Sequence, residues 1–382
     1  MHNVTILGSG KIGSAIAKFL HYSGDYTVLV GDIDSRSLEN LTESLPVNTF
    51  VIDVTDEATL TKKLEGQDCV VSACSYEVNP IIARAAAKAG VSYFDLTEDV
   101  ATTNAVRSIA EIAPNDLVFA PQCGLAPGFI GILAHHLYSG FDKVDEVKMR
   151  VGALPQNPSN MMMYKLTWST KGLINEYCNP CETIHNGRKI EAIPLEEVEH
   201  FSLDGISYEA FNTSGGLGTL CETLEGQVRT LNYKTVRYQG HQYLMKFLTK
   251  ELRLSDRREL LQEILENSIP ITKQDVVLIF CTVTGWRNGY LEQISDVRKI
   301  YPLNLYGETW SSIQLATSAS LCAILDMYLN REISHSGFLK QEDISLDSFL
   351  ANRFGSYYTD KGRNIVNPGI SLCSINFDLY KA

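Results

Sequence analysis

The feature that most constrains this fold lies in the first 32 residues, where a strand-like run leads into a glycine-rich turn. The run is Val4–Leu7, and the glycines Gly8, Gly10 and Gly13 follow it with the spacing G-x-G-x-x-G. Gly8 permits a tight strand-to-helix turn, Gly10 lets backbone amides approach a pyrophosphate, and Gly13 lets the helix pack closely on the strand. The pattern therefore predicts a dinucleotide-binding βαβ unit.

An acid stands at the tip of the second predicted strand. The apolar run Tyr26–Gly31 predicts this strand, and Asp32 follows it directly. A carboxylate there would accept hydrogen bonds from the adenosine ribose and repel a 2′-phosphate, so we expect NAD rather than NADP. Arg36 is close enough in sequence to bind such a phosphate, which keeps NADP open. A purely structural glycine-rich turn is the alternative for the whole motif.

The alternation of strands and helices continues to residue 120. Together with the first two strands, the later runs bring the count to six, which predicts an α/β fold with a Rossmann-type doubly wound parallel sheet. The further predicted strands are Asn48–Asp53, Asp68–Cys74, Ser92–Leu96 and Leu117–Ala120, and the predicted helices between them are Glu57–Leu64, Pro80–Ala89 and Thr103–Ala113.

Ligands of such sheets bind outside the carboxyl ends of the strands. The loops at these ends therefore supply the candidate cofactor contacts, although each residue taken alone has an ordinary loop residue as its alternative. The expected contacts are Gly8, Ser9, Gly10, Lys11, Ile12, Gly13, Asp32, Ile33, Asp53, Val54, Ser72, Ala73, Cys74, Thr97, Cys123, Gly124 and Pro127.

The pattern changes after Gly128. Long alternating segments, among them Glu146–Gly152, Lys189–Ile193 and Val276–Thr284, predict an α+β domain with a mostly antiparallel sheet. The stretch Ser311–Asn330 has helical length and is apolar all round, so we expect it to be buried against the nucleotide domain.

These patterns give a domain division. Residues 1–124 and 308–350 are expected to form a discontinuous dinucleotide-binding domain, residues 125–307 an α+β substrate domain, and residues 351–382 a C-terminal tail. The tail contains one alternating run, Ser374–Tyr380, whose role the sequence does not indicate.

Charge and cysteine content exclude several classes of function. The net charge of −12 and the absence of a basic tract argue against nucleic acid as a partner. No apolar run approaches the roughly 20 residues that cross a bilayer, and no signal peptide precedes the first strand, so we expect a cytoplasmic protein without a membrane partner. Nine cysteines, an odd number, suit reduced core thiols. Cys178 and Cys181 form a single C-x-x-C, which we interpret as part of a loop rather than a metal or redox site.

A series of segments in fixed order resembles the saccharopine dehydrogenase family, and within it most of all the lysine 6-dehydrogenases. The resemblance covers roughly residues 1–350 and implies pyridine-nucleotide redox chemistry at a carbon that bears an amino group. It also implies a homodimer as the common assembly, so residues 125–307 are expected to serve in dimerisation as well. The segments are Cys123–Gly128, Gly152–Gln156, Tyr164–Ser169, Gly172–Tyr177, Glu209–Gly216 and Tyr238–His241.

Two departures from the subfamily pattern flank the expected substrate cavity. Gln239 stands where the subfamily often has proline, and Met161–Met163 replaces a stretch expected to be rich in proline. Substrate identity therefore stays open.

Oxidation of an amine to an imine needs a base for the ammonium proton and a donor that stabilises the carbinolamine. The catalytic candidates are Glu98, Lys165 and His241. His241 follows Gly240 in a turn-like segment, and a histidine titrates near neutral pH, which suits a base. A surface or capping histidine is its alternative.

The other two candidates are charged residues beside apolar segments. Glu98 lies just past the fifth strand, where it would face the nicotinamide, and a solvated loop acid or helix cap is its alternative. Lys165 projects from a predicted apolar and aromatic strand, Tyr164–Trp168, which suggests a catalytic or carboxylate-binding role. If Lys165 shares the cavity with His241, its charge favours the neutral imidazole.

An amino-acid substrate also needs its carboxylate held, and arginine matches that geometry. Arg229 and Arg237 bracket the segment that leads to His241. Thr213 and Gly215 belong to a glycine-rich loop whose amides offer a second anion site, with a tight loop as the alternative. Tyr164 completes the expected substrate contacts.

The sequence thus predicts an NAD(P)-dependent amino-acid dehydrogenase that acts on lysine or a close analogue and releases a semialdehyde, in a homodimer or higher homo-oligomer. Two alternatives stay open. One is a reductase that condenses an aldehyde with an amino acid, as in formation of saccharopine or carboxynorspermidine. Its substrate would carry extra carboxylates and would need more than one arginine. The other is a nucleotide-binding regulator without turnover.

Overall fold

The computed structural model describes residues 1–359. The alternating run Ser374–Tyr380 and most of the predicted tail lie outside the described residues. The N-terminal part is a regular alternation of strands and helices: β1 (His2–Leu7), α1 (Lys11–Ser23), β2 (Tyr26–Asp32), α2 (Ser35–Ser44), β3 (Asn48–Val51), α3 (Glu57–Leu64), β4 (Cys69–Ser72), α4 (Asn79–Ala89), β5 (Ser92–Asp95), α5 (Val100–Ile112) and β6 (Val118–Ala120).

The middle of the chain is dominated by longer strands. Its elements are α6 (Phe129–Ser139), β7 (Lys143–Pro155), α7 (Thr170–Cys178), β8 (Cys181–His185), β9 (Arg188–Ala192), β10 (Glu199–Leu203), β11 (Ile206–Asn212), α8 (Leu220–Leu224), β12 (Thr230–Tyr238), α9 (His241–Lys246), α10 (Arg258–Ser268), β13 (Asp275–Arg287) and β14 (Tyr290–Ile300). The last described elements are β15 (Leu303–Leu305), β16 (Glu308–Trp310), α11 (Ser312–Leu329), β17 (Gly337–Phe338) and α12 (Leu346–Ala351).

The first sheet is parallel throughout, with the order β17-β6-β5-β4-β1-β2-β3. It confirms the predicted Rossmann-type fold and adds a seventh strand, β17, from the end of the described chain. The order reverses beside β1, so the glycine-rich turn lies at the point where ligands bind in such sheets.

Two of the glycines are required by close backbone contacts. Gly8 has a φ of +98°, a conformation that residues with a Cβ atom rarely adopt. A Cβ atom on Gly13 would lie 1.8 Å from the carbonyl oxygen of Gly8, so only glycine lets α1 approach β1 this closely.

The second sheet has eight strands and is mixed rather than purely antiparallel. Its main path is β10-β11-β12-β7-β13-β14, with β8 paired to β12 and β9 to β8. Among the described strands of this sheet, β12 and β7 run parallel and the other pairs are antiparallel, in line with the predicted mostly antiparallel sheet. The predicted strand Tyr164–Trp168 is wrong, because this segment is a loop that contains one isolated β-bridge, between Leu166 and Ile271.

Helix α11 packs against α1 of the first domain and also against β13 of the second. The Tyr328 hydroxyl lies 2.7 Å from the Ser92 hydroxyl, which ties the end of α11 to β5. Among the described residues, α11 alone has the length and composition of a membrane-spanning helix, but 78% of it is buried inside the protein, as in a core helix. The domain boundaries at residues 124 and 307 stay a prediction.

Candidate active site

A cavity of about 770 Å³ lies between the glycine-rich turn and the second sheet. Its cofactor side is formed by the turn and by loops that follow β4, β5 and β6. Its other side is formed by β7, β12, the loop before α7, and α10. The residues that line it include Gly10, Lys11, Ile12, Ala73, Cys74, Glu98, Gly124, Pro127, Thr167, Trp168, Lys171, Gly172, Glu176, Thr235, Arg237, Gln262 and Glu266.

The glycine-rich turn presents the N-terminus of α1 to this cavity. Gly10 is the N-cap residue and provides no side-chain hydrogen bond, so the first N–H groups of the helix are left for a ligand. A Cβ atom on Gly10 would meet nothing within 4 Å. This open space over a helix N-terminus fits the pyrophosphate of a dinucleotide, with Lys11 and Ile12 beside it.

Asp32 links the end of β2 to the glycine-rich turn. Its Oδ2 accepts hydrogen bonds from the Ser9 N–H at 2.6 Å and the Ser9 hydroxyl at 2.8 Å, and its Oδ1 accepts one from the Asp34 N–H at 2.9 Å. Partial burial opposes ionisation, but the bonds from Asp34 and Ser9 outweigh it and lower the pKa of Asp32. The carboxylate is therefore charged and can accept a hydrogen bond from a ribose hydroxyl.

Some of the other predicted cofactor contacts line the cavity, some lie outside it beyond the ends of β2 and β3, and some are buried behind its lining. Ala73, Cys74, Gly124 and Pro127 line the cavity. Ile33, Asp53 and Val54 follow β2 and β3 outside the cavity, and their contacts with the adenosine stay predictions. The Asp53 carboxylate accepts hydrogen bonds from the N–H and hydroxyl groups of Thr55.

Three predicted contacts need correction because they are buried behind the lining. The Ser72 hydroxyl donates to Oδ1 of Asn79 at 2.7 Å, and the Thr97 N–H donates to Oδ1 of Asp95 at 2.9 Å. Cys123 is fully buried, with its thiol 3.1 Å from the carbonyl oxygen of Ala120. These residues hold the loops in place rather than face a ligand.

Glu98 lines the cavity at the end of β5, as predicted from its position in the sequence. Burial raises its pKa to about 7, and the nearby charges of Asp99 and Asp95 act in the same direction. A carboxyl group with this pKa is half ionised near neutral pH, so it can take up and return a proton there.

A second acid in the cavity, Glu176, was not among the sequence candidates. It projects from α7, and burial raises its pKa to about 8, against the lowering effect of Arg237 and with support from Glu98. The signal was present in the sequence, since Glu176 is the only charged residue in the otherwise uncharged segment Gly172–Cys178. Sequence position alone did not distinguish it from a surface acid.

Arg237 lines the cavity from β12 and is 2% exposed. Its Nε–H donates to the Tyr177 hydroxyl at 2.9 Å, and Nη1 donates to the carbonyl oxygen of Val236 at 2.8 Å. No carboxylate oxygen of residues 1–359 lies within 4.0 Å of its guanidinium. Three of its five N–H bonds are therefore free to bind a carboxylate.

His241 does not line the cavity, which corrects its predicted contact with the reacting group. It is fully buried, and its ring lies against Tyr164 and Tyr177 with centroid distances of 5.0 and 5.9 Å. Burial, together with the charge of Arg237, lowers its pKa to about 3. The imidazole is neutral, as expected, but the cation responsible is Arg237 rather than Lys165.

Three further candidates are not brought to the cavity. Lys165 lies half-buried in the loop before α7 and is not among the lining residues. The Arg229 guanidinium binds both carboxylate oxygens of Asp145, at 2.9 and 2.8 Å, on the surface. Tyr164 is buried behind the lining, where its ring lies 5.1 Å from the guanidinium carbon of Arg237.

The predicted anion loop at Thr213 and Gly215 is a tight structural loop instead. The Thr213 hydroxyl lies 2.8 Å from that of Thr235. Gly215 has a φ of +86°, and a Cβ atom there would lie 2.4 Å from the carbonyl oxygen of Glu98. This glycine therefore lets the loop pack under Glu98.

Two sequence families match the chain. Residues 4–120 match the saccharopine dehydrogenase NADP binding domain, and residues 124–353 match the saccharopine dehydrogenase C-terminal domain. The chain is 25% identical over 274 residues to saccharopine dehydrogenase (NADP(+), L-glutamate-forming) of Saccharomyces cerevisiae, a match that covers 66% of this chain and 59% of the yeast enzyme. It is 23% identical over 197 residues to mitochondrial alpha-aminoadipic semialdehyde synthase of Rattus norvegicus, covering 49% of this chain and 21% of that protein. The matched region is thus only part of each relative.

Two solved structures have a similar fold. Apo saccharopine dehydrogenase (L-Glu forming) from Saccharomyces cerevisiae superposes with a TM-score of 0.75 at 16% identity, covering 96% of this chain and 98% of that chain. Homospermidine synthase from Legionella pneumophila in complex with NAD gives a TM-score of 0.64 at 12% identity, covering 94% of this chain and 89% of that one. At these identities the likeness concerns the fold.

Proposed function

Since the chain belongs to the saccharopine dehydrogenase family and carries an NAD(P)-binding domain, we propose that it oxidises the amine-bearing carbon of an amino acid with one carboxylate and a second amino group, such as lysine. The products would be a semialdehyde, ammonium and the reduced nucleotide. The charged side chains that line the cavity indicate this class of substrate.

Among residues 1–359, the cavity lining contains one arginine, Arg237, and three glutamates, Glu98, Glu176 and Glu266. Of its two lysines, Lys11 belongs to the cofactor turn, and Lys171 donates to Oε2 of Glu77 at 2.8 Å. A substrate with several carboxylates needs several fixed cations, whereas a lysine-like substrate needs one guanidinium and an environment that accepts ammonium groups. The lining favours the second kind.

The two buried acids supply the proton chemistry. The carbon that bears the nitrogen gives up a hydride readily only when the amine is neutral, so the ammonium proton must first pass to a base. Glu98 in its carboxylate form accepts this proton. Protonated Glu176 lies in the same cavity and can donate a hydrogen bond to the oxygen of the carbinolamine formed by water. When bound, the oxidised nicotinamide would supply the acceptor for the hydride of the substrate carbon.

Two other functions remain to be compared by experiment. The names of the curated relatives favour a reaction on saccharopine itself, and a regulator that binds nucleotide without turnover is the third possibility. Purified protein should be incubated with NAD⁺ or NADP⁺ and with L-lysine, saccharopine and a set of polyamines, while reduced nucleotide is followed by absorbance and products by mass spectrometry. L-lysine-dependent reduction with release of ammonium supports the proposal. Release of glutamate from saccharopine as the main activity overturns the substrate class, and nucleotide binding without any reduction supports the regulator.

A further inference from the structure

We propose that His241 and Tyr177 are positioning residues that fix the orientation of Arg237. They do so through a row of hydrogen bonds in which Arg237 donates to Tyr177, Tyr177 to His241, and His241 to the Met162 carbonyl oxygen. The inference rests on the proposed function in one respect, that Arg237 binds the substrate carboxylate. It gives a role to a fully buried histidine that does not line the cavity.

The direction of these hydrogen bonds is fixed by groups that can only accept or only donate a hydrogen bond. The Met162 carbonyl oxygen can only accept, and it lies 2.9 Å from Nδ1 of His241, so Nδ1 carries the proton. In a neutral imidazole the other nitrogen, Nε2, then has no proton and accepts. The Tyr177 hydroxyl, 3.1 Å from Nε2, is therefore the donor to His241.

The other end of the row is fixed by the guanidinium. Arg237 has no acceptor, so its Nε–H donates to the Tyr177 oxygen over 2.9 Å. The Tyr177 hydroxyl thus accepts from Arg237 and donates to His241, which uses both of its functions. A protonated histidine would reverse the second bond and place two cations around one phenol, and the buried site disfavours that state.

The surroundings keep the row in place. His241 begins α9 directly after Gly240, whose N–H donates to Oε2 of Glu209 at 2.9 Å. The rings of Tyr164 and Phe211 pack on the imidazole, with centroid distances of 5.0 and 6.4 Å. Because the row occupies Nε and the Val236 carbonyl occupies one Nη1–H, the remaining N–H bonds of Arg237 are held ready for a carboxylate.

The test compares Tyr177→Phe with Tyr238→Phe. Tyr238, at the end of β12, is a matched control because it is also a buried tyrosine, and its hydroxyl donates to the Pro155 carbonyl oxygen at 2.9 Å, outside the row. Two ligands are compared by calorimetry in the presence of the nucleotide and by steady-state kinetics: L-lysine and 1,5-diaminopentane, which lacks the carboxylate. Tyr177→Phe should weaken L-lysine binding and raise its KM about tenfold, while the values for 1,5-diaminopentane and for the nucleotide stay unchanged. Equal losses for both ligands, or the same pattern in Tyr238→Phe, would overturn the proposal.

A second readout does not depend on turnover. Nitrogen NMR of ¹⁵N-histidine protein should show His241 as the Nδ1–H tautomer without titration between about pH 5 and pH 8. In Tyr177→Phe the Nε2 resonance should shift, whereas Tyr238→Phe should leave it in place. An Nε2–H tautomer in the wild type would overturn the positioning role whatever the substrate is. If the tautomer is as expected but neither ligand binds, the row stands and the proposed function fails.

Discussion

Gly172 and Glu98 approach each other so closely that a Cβ atom on Gly172 would lie 3.3 Å from Oε1 of Glu98. The same atom would lie 2.4 Å from Cζ3 of Trp168, which also lines the cavity. The first turn of α7 thus controls where the candidate base and the indole ring can sit. A glycine in a helix is otherwise unfavourable, so its presence here reflects this contact.

Gly172→Ala should therefore displace Trp168 or Glu98 and lower kcat/KM, by roughly 10²-fold if the carboxyl group moves by about 1 Å. Steady-state kinetics with L-lysine checks this. Gly131→Ala is the matched control, because Gly131 is also helical and a Cβ atom there would meet its nearest neighbour only at 4.0 Å. Similar losses in both variants would mean that the contact with Glu98 has no special effect.

Glu98→Gln tests the candidate base. It should lower kcat by roughly 10² to 10⁴ while leaving nucleotide affinity unchanged, since the amide cannot accept the ammonium proton. The control is Glu57→Gln, at a surface glutamate that binds Arg84 and Lys88. Unchanged kcat in Glu98→Gln would remove Glu98 from the chemistry.

The wild-type pH profile gives a separate test of the same residue. The base is active when ionised, and its pKa is raised to about 7, so kcat/KM should rise with pH through about 7. Glu176 titrates in the same cavity with a pKa of about 8, so the apparent values belong to the pair of acids. A profile that is already flat from about pH 5 upward would contradict a buried glutamate as base.

The raised pKa of Glu176 also affects stability. Its pKa rises from 4.5 in the unfolded chain to about 8 in the folded protein, so the folded state holds the proton more tightly. The resulting stabilisation is complete below about pH 4.5 and is lost as the pH rises through about 8. Urea unfolding of the protein without nucleotide should show the wild type losing stability relative to Glu176→Gln over this range, by several kcal/mol at most. A difference that does not change with pH would contradict the burial of an acid at this position.

Gly10 and Gly13 should separate nucleotide binding from folding. Gly10→Val should abolish binding of NAD and NADP with little change in stability, because a side chain there enters only the open space expected for the pyrophosphate. Gly13→Ala should destabilise the protein itself, because its Cβ atom would overlap the Gly8 carbonyl. Thermal unfolding and nucleotide titration of both variants test the pair. Destabilisation by Gly10→Val would show that the space is not free.

Asp32→Ala tests nucleotide preference. Removing the carboxylate should lower affinity for NAD and relax discrimination against NADP, because both the ribose acceptor and the repulsion of a 2′-phosphate are lost. Ser9→Ala is the control, since it removes only the hydroxyl bond to Asp32 and keeps the N–H bond. Equal affinities of the wild type for NAD and NADP would remove the basis of the prediction, and the family description of an NADP binding domain makes this comparison necessary.

The first sheet could be predicted because each sequence signal for it depends only on residues close together in the chain. The spacing of Gly8, Gly10 and Gly13 and the acid at Asp32 report on a single turn and the strand beside it, and the structure places them as expected. The all-round apolar character of α11 likewise predicted its burial.

The cavity was less predictable because its partners are distant in the sequence. Arg237 and Arg229 look alike in the sequence, yet one side chain meets Tyr177, 60 residues away, and the other meets Asp145, 84 residues away. His241 was nominated for its chemistry, but the row to Arg237 exists only once α7, β12 and α9 are packed together. Lys165 was wrongly predicted to face the cavity because the loop Tyr164–Trp168 was interpreted as a strand.

The most direct test of the account is a crystal structure of the protein with nicotinamide nucleotide and L-lysine, prepared in the Glu98→Gln variant to prevent turnover. We expect the lysine carboxylate within about 3 Å of the guanidinium nitrogens of Arg237, with the reacting amine beside residue 98 and the nicotinamide. A lysine carboxylate bound elsewhere, with Arg237 contacting no ligand, would contradict it.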